Sequence, residues 1–152
     1  MSLLFLIEEE IPVTLGPAAS LPEMIEHGRF EEVHSDIQAD RFPILPGTPT
    51  ELVLHIAAIR SGEATTDQVL EWMTTNAFRP ARIEELLAMA SILRSGRLSM
   101  SAHALGSPWL DPEGLTHYTA LSFRATRKLL CCSIKWEPWW LANRDCFPCV
   151  SC

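Results

Sequence analysis

A single α+β domain is the fold class this sequence predicts, and three observations carry the prediction. Capping residues precede apolar positions at helical spacing in the middle of the chain. The last third alternates apolar and polar residues around a tight turn, as strands do. The 152 residues are 47% hydrophobic and 20% charged, one domain's worth of chain with enough apolar material for a core, which excludes disorder. The expected architecture is a three-helix central segment on a small antiparallel sheet, built mainly from the C-terminal third, with one or two N-terminal edge strands. Within that domain we distinguish an acidic region at 1–49, a helical region at 50–95 and a Cys/Trp-rich β region at 96–152.

Residues 3–7 and 11–15 read as strand, and Pro12 confines that strand to an edge. Ser20-Leu21-Pro22-Glu23 is a capping box with Pro in the first turn, opening a short helix that Gly28 ends or weakens. From Phe30 to Thr48 the chain reads as a long connection holding one short extended segment. Thr48-Pro49-Thr50-Glu51 is another capping box, ahead of Leu52, Val53, Ile56 and Ile59 at helical spacing, with Gly62 as a stop. Thr65-Thr66-Asp67-Gln68 opens the next helix, which carries Val69, Leu70, Trp72 and Met73 and closes at Asn76. A third is expected from Pro80, burying Ile83, Leu86, Leu87, Ala90 and Leu93, with Gly96 beyond its end. Short loops between these three predict roughly antiparallel neighbours.

Beyond Gly96 the period changes. Asp111-Pro112-Glu113-Gly114 is a turn. Leu115, His117, Thr119 and Leu121 then alternate with Thr116, Tyr118, Ala120 and Ser122. A second run places Leu130, Cys132, Ile134 and Trp136 on one face and Leu129, Cys131, Ser133 and Lys135 on the other. Trp139-Trp140-Leu141 and Phe147 to Val150 are expected to add one or two short strands.

The formal charge of −7 is unevenly placed. Glu8, Glu9, Glu10, Glu23, Glu26, Glu31, Glu32, Asp36 and Asp40 face only Arg29 and Arg41 in the first 50 residues, so this third carries the whole net charge. A sequence pI near 5.2 disfavours a direct nucleic-acid binder. Arg79, Arg82, Arg94 and Arg97 bracket the third helix, but Glu84 and Glu85 lie where phosphates would approach. Those two glutamates read as a solvated helix face. No basic leader precedes the short apolar start, and the five cysteines are an odd number, which points to a soluble protein in a reducing cytoplasm. Ten of the twelve basic side chains are arginine, the bias of a GC-rich coding genome such as a bacterium's or its virus's.

Three functions are open to such a chain. Cys146, Cys149 and Cys152 at two-residue spacing suit convergence on zinc from a tight turn, with Cys132, Cys131, His103 or His117 as the fourth ligand. A thiol enzyme needs a cysteine beside a histidine and an orienting group, and no family signature surrounds any of the five. The expected role is the third: a protein without chemistry or cofactor of its own that binds a protein partner, of inhibitor, immunity or adaptor type. Glu8, Glu9, Glu10, Glu23, Glu26, Glu31 and Glu32 would meet a basic partner surface, even one that otherwise holds nucleic acid, and Trp139 and Trp140 would anchor the contact. Trp-rich surfaces also suit a homo-oligomer seam.

Overall fold

The computed structural model describes residues 5–16, 20–44, 50–60, 62–93, 101–124, 127–135, 140–141 and 145–152, the backbone only at 133–135 and 140–141. Its elements run β1 (Phe5–Leu15), α1 (Leu21–Gly28), β2 (Glu32–Val33), β3 (Thr50–Ile59), β4 (Ala64–Thr65), α2 (Thr66–Thr75), β5 (Phe78–Pro80), α3 (Ile83–Ile92), β6 (Ser101–Leu110), β7 (Thr116–Arg124), β8 (Arg127–Lys135), β9 (Trp140–Leu141) and β10 (Asp145–Ser151). The fold is α+β. Its main sheet has eight strands in the order β1-β3-β10-β6-β7-β8-β2, with β5 also on β10, while β4 and β9 pair separately. The sheet is mixed: β10 runs parallel to β6 and β2 parallel to β8, the other pairs being antiparallel.

This corrects the small antiparallel sheet. The helix expected after Thr48-Pro49-Thr50-Glu51 is the strand β3, lying between β1 and β10. Apolar positions in Leu52–Ile59 satisfy a helical period and a strand buried on both faces equally well, because the run has few polar residues to break the tie. Leu54, Ile56 and Ala58 turn to one face, where α3 supplies Leu86, Met89, Ala90 and Leu93. Ala57 and Ile59 turn to the other, where α2 supplies Val69 and Met73. The two helices therefore lie on opposite faces of the sheet and are not antiparallel neighbours. A third cluster joins Leu21 of α1, Ile37, Phe42, Ile83 and Leu87 of α3, and Leu130 of β8.

The capping signals at Ser20, Thr65 and Asn76 held. Ser20 Oγ accepts from Glu23 N at 3.3 Å, and Arg29 closes α1 in the left-handed region at φ 53°. Thr65 and Gln68 form a reciprocal capping box at 3.2 and 2.9 Å. Asn76 caps the end of α2. The third helix starts later than expected, at Ile83, because Pro80 belongs to β5; Ile83 N donates instead to Ser107 Oγ at 2.8 Å. Its expected stripe of Ile83, Leu86, Leu87, Ala90 and Leu93 is buried throughout. Gly96 lies outside the described residues, as do Thr48 and Pro49.

β1 is the expected edge strand, with Pro12 in it and a register shift between Ile7 and Glu9. β7 and β8 match the two alternating runs that follow the Asp111–Gly114 turn, and β10 accounts for Phe147 to Val150. β6 was not foreseen. Gly106 in it is required by a close approach: a Cβ there would stand 2.6 Å from Pro80 O and 2.7 Å from Ala81 O. Among the described residues no helix is long and apolar enough to cross a membrane.

Candidate functional site

The acidic residues of the first third divide between two ends of the sheet. Glu8, Glu9 and Glu10 sit on β1, whose outer side has no strand partner among the described residues. Glu8 and Glu10 are exposed there, and Glu10 Oε1 lies 3.4 Å from His55 Nδ1 on β3. Glu31 and Glu32 lie at β2, at the far end of the strand order, where Glu32 accepts from Arg127 at 2.7 Å and Glu31 stands beside Lys128. Glu23 and Glu26 are exposed on α1. Asp36 is paired with Arg41 at 2.7 Å. Among the described residues, Glu8, Glu23 and Glu26 carry no ion pair, so the unneutralised charge lies along β1 and α1. Trp139 is outside the described residues, and Trp140 is described only by its backbone in β9.

The Glu84-Glu85 run is not a solvated face, since both residues are buried. Glu85 is held bidentately by Arg79, at 2.9 and 2.7 Å, and accepts from Arg82 N at 2.9 Å. Burial pushes its carboxyl up, but the Arg79 and Arg82 hydrogen bonds outweigh it and hold the group below the ordinary range. Of the arginines that bracket the third helix, Arg79 is committed to this pair.

The cysteines are not gathered on a turn. Cys146 and Cys149 are fully buried within β10, three residues apart, and so join the clusters on opposite faces of the sheet. Cys152 is exposed at the end of the chain, and Cys132 lies on β8. Among the described residues, no group of three or more His, Cys, Asp or Glu side chains is placed to share a metal ion. The turn expected for zinc is a strand, and a strand's alternation separates the ligands that a turn would converge.

One cysteine does meet a histidine. His117 of β7 is buried, and Cys132 Sγ, on the neighbouring β8, lies 3.8 Å from its Nδ1. Its Nε2 is 2.7 Å from Asp111 Oδ2. The other Asp111 oxygen accepts from Glu113 N and Leu115 N, each at 2.9 Å, so one carboxyl group both builds the β6–β7 turn and orients the imidazole. The His117 hydrogen bond holds Asp111 below the ordinary carboxyl range. As a carboxylate it can only accept, so the neutral imidazole carries its proton on Nε2 and presents the Nδ1 lone pair to the thiol. Trp109 lies against the His117 ring, centroids 4.5 Å apart, and the Arg41 guanidinium sits 4.4 Å from the centre of the indole. Burial, with the Asp36 carboxylate second, pushes the Cys132 thiol up to about 11. The sequence names all three types but not their meeting: His117 and Cys132 pair through strand register, Thr119 opposite Cys132, which composition does not reveal.

Fold and site together define an α+β protein with an eight-stranded mixed sheet, an acidic open edge and a half-buried thiol–imidazole–carboxylate cluster at the β7–β8 end. Comparison with known protein families, with curated proteins and with solved structures finds no match to this chain.

Proposed function

We propose that the protein acts by binding a protein partner with a basic surface, and that the β1 edge is where this partner approaches. The observation that carries the proposal is the open side of β1, an eleven-residue strand carrying three consecutive glutamates. Three features of that strand oppose further strand pairing: its charges, Pro12 and the register shift beside Glu8. The contact is therefore made by side chains, and its field steers association and rejects acidic partners. Glu8, without an ion pair among the described residues, leads the attraction, whereas Glu32, at the far end of the strand order, is paired with Arg127. Ile7 and Val53, exposed on β1 and β3, add apolar surface at the same edge.

The test is affinity capture from the source organism's lysate, with the captured protein identified, purified and titrated against the chain. Its Kd should weaken about tenfold when Glu8, Glu9 and Glu10 become glutamine, and should weaken further as salt rises toward physiological strength. A partner held equally well by the triple variant, and indifferent to salt, would sink the proposal. Trp139→Ala and Trp140→Ala in the same titration measure whether the anchors expected from the sequence take part.

A further inference from the structure

Beyond the binding edge, the β7–β8 end of the sheet holds the parts of an acyl-transfer site. A nucleophile needs a base within reach, and the base needs a group that fixes its tautomer and orientation. Cys132, His117 and Asp111 stand in that sequence, at 3.8 and 2.7 Å. The thiol and the carboxylate lie on different nitrogens of the one ring, so the imidazole is placed to relay a proton between neighbours, which is not how ligands converge on an ion. Thiol–disulfide exchange fits less well, because Cys131, next in the strand, points to the opposite side of β8. Of the other buried cysteines, Cys149 Sγ donates to the His55 carbonyl at 3.4 Å and meets no ring nitrogen.

We propose that Cys132 is a nucleophile that accepts acyl groups from small activated esters or thioesters, with His117 as its base and Asp111 holding that base. Attack forms an Sγ–C bond at the substrate carbonyl while the Sγ proton passes to His117 Nδ1. Collapse of the tetrahedral adduct breaks the bond from that carbon to the leaving oxygen or sulfur, and the same proton leaves with the alcohol or thiol. Water, deprotonated by His117, then attacks the S-acyl group and releases a carboxylic acid and the thiol.

Burial keeps the resting thiol protonated at neutral pH. Proton transfer to His117 must therefore accompany attack, as it does for a hydroxyl nucleophile. The surroundings choose the substrate's character: Cys132 packs against the apolar cluster that contains Ile37, Phe42 and Leu130, so a short apolar acyl chain fits better than a charged one. Access is from the rim, where Arg41 and Asp36 keep 30% and 40% of their side-chain surface exposed. This departs from the expectation of a protein without chemistry of its own and is independent of the β1 edge.

The experiment mixes the full chain with p-nitrophenyl acetate and p-nitrophenyl butyrate, follows p-nitrophenolate release, and maps the acyl group by peptide mass spectrometry. A burst approaching one equivalent is expected, with the acyl group on Cys132. His117→Gln and Asp111→Asn should slow the Cys132 burst about 100-fold or more, and Cys132→Ser should move the residual label elsewhere. The site map is read on the unaltered chain, so a variant that fails to fold leaves the test intact. Label on Cys131 or Cys152 in place of Cys132 would overturn the proposal.

Discussion

Arg79 and Glu85 show what a single buried pair costs and contributes. The Glu85 side chain is 2% exposed and that of Arg79 33%, so one partner is inside and the other reaches it from the rim. Replacing Arg79 by methionine keeps much of the apolar stem but leaves the carboxylate inside without its counter-charge. The expected loss is about 2–4 kcal/mol, below the full value for a wholly buried pair because solvent screens the arginine. Urea denaturation checks it through a lower midpoint at unchanged slope. The pH dependence has a definite sign. Glu85 and Asp111 both have folded-state pKa values below their unfolded ones, so each stabilises above the ordinary carboxyl range and loses that contribution as pH falls through and below it. Wild-type stability should therefore hold from neutral pH to about 5 and decline below that. In Arg79→Met, Glu85 protonates more readily, so the gap between the variant and the wild type should narrow on acidification. A gap that stayed constant would show that the carboxylate is not the source of the loss.

Two helices meet at one lysine. Lys128 of β8 is buried, and its Nζ donates to Gly28 O at the end of α1, at 2.7 Å, and to Ala90 O in the last turn of α3, at 2.6 Å. A cation between two helix C-termini satisfies carbonyls that lack intrahelical partners and opposes both dipoles. Burial, followed by the nearby Arg29, lowers its pKa, the cost of placing the charge there. Lys128→Met should cost about 2–3 kcal/mol by leaving both carbonyls unpaired, lowering Tm by about 5–10 °C in a calorimeter. Lys128→Arg tests the geometry, since a planar fork does not replace a compact ammonium between two carbonyls. Such links explain what was legible in the sequence. Caps at Ser20, Thr65 and Asn76 were readable because each satisfies its own neighbours, three or four residues away. The alternation in β7 and β8 was readable for the same local reason. β3 was mistaken for a helix because its partners, β1 and β10, come from opposite ends of the chain, and only they decide that Leu52–Ile59 is extended. Glu84 and Glu85 read as solvated because Arg79 enters from a strand the sequence did not announce. The Cys132–His117–Asp111 cluster was hidden likewise: its members come from two strands and a turn, and no spacing encodes a register.

At the scale of the whole molecule, the order of strands in space differs from their order in the chain. The last strand, β10, lies inside the sheet, with β3 on one side and β6 and β5 sharing the other. Cys146, Phe147 and Cys149 are fully buried in it, and between them they belong to the cores on both faces. Pro148 is tolerated in this interior strand because its carbonyl still accepts from Ala81 N at 2.9 Å. Among the described strands, N-terminal β1 and β3 thus join β6, β7 and β8 within the sheet by way of the chain's final strand. Pairings of such long sequence separation must close large loops before they are rewarded, which makes folding slow for the chain's size. The same topology makes stability indivisible. A chain ending at residue 144 lacks the central ladder and Phe147, one of the largest fully buried side chains, a loss comparable to the whole stability of about 5–15 kcal/mol typical of one domain. We expect it to show no cooperative urea transition and to bind a hydrophobic dye where the full chain does not. Supplying Asp145–Ser151 as a separate peptide should restore some cooperative folding at high peptide concentration, because the slot between β3 and β6 is shaped for that strand alone. A truncated chain that unfolded cooperatively at the wild-type midpoint would mean that the two halves of the sheet hold each other without it.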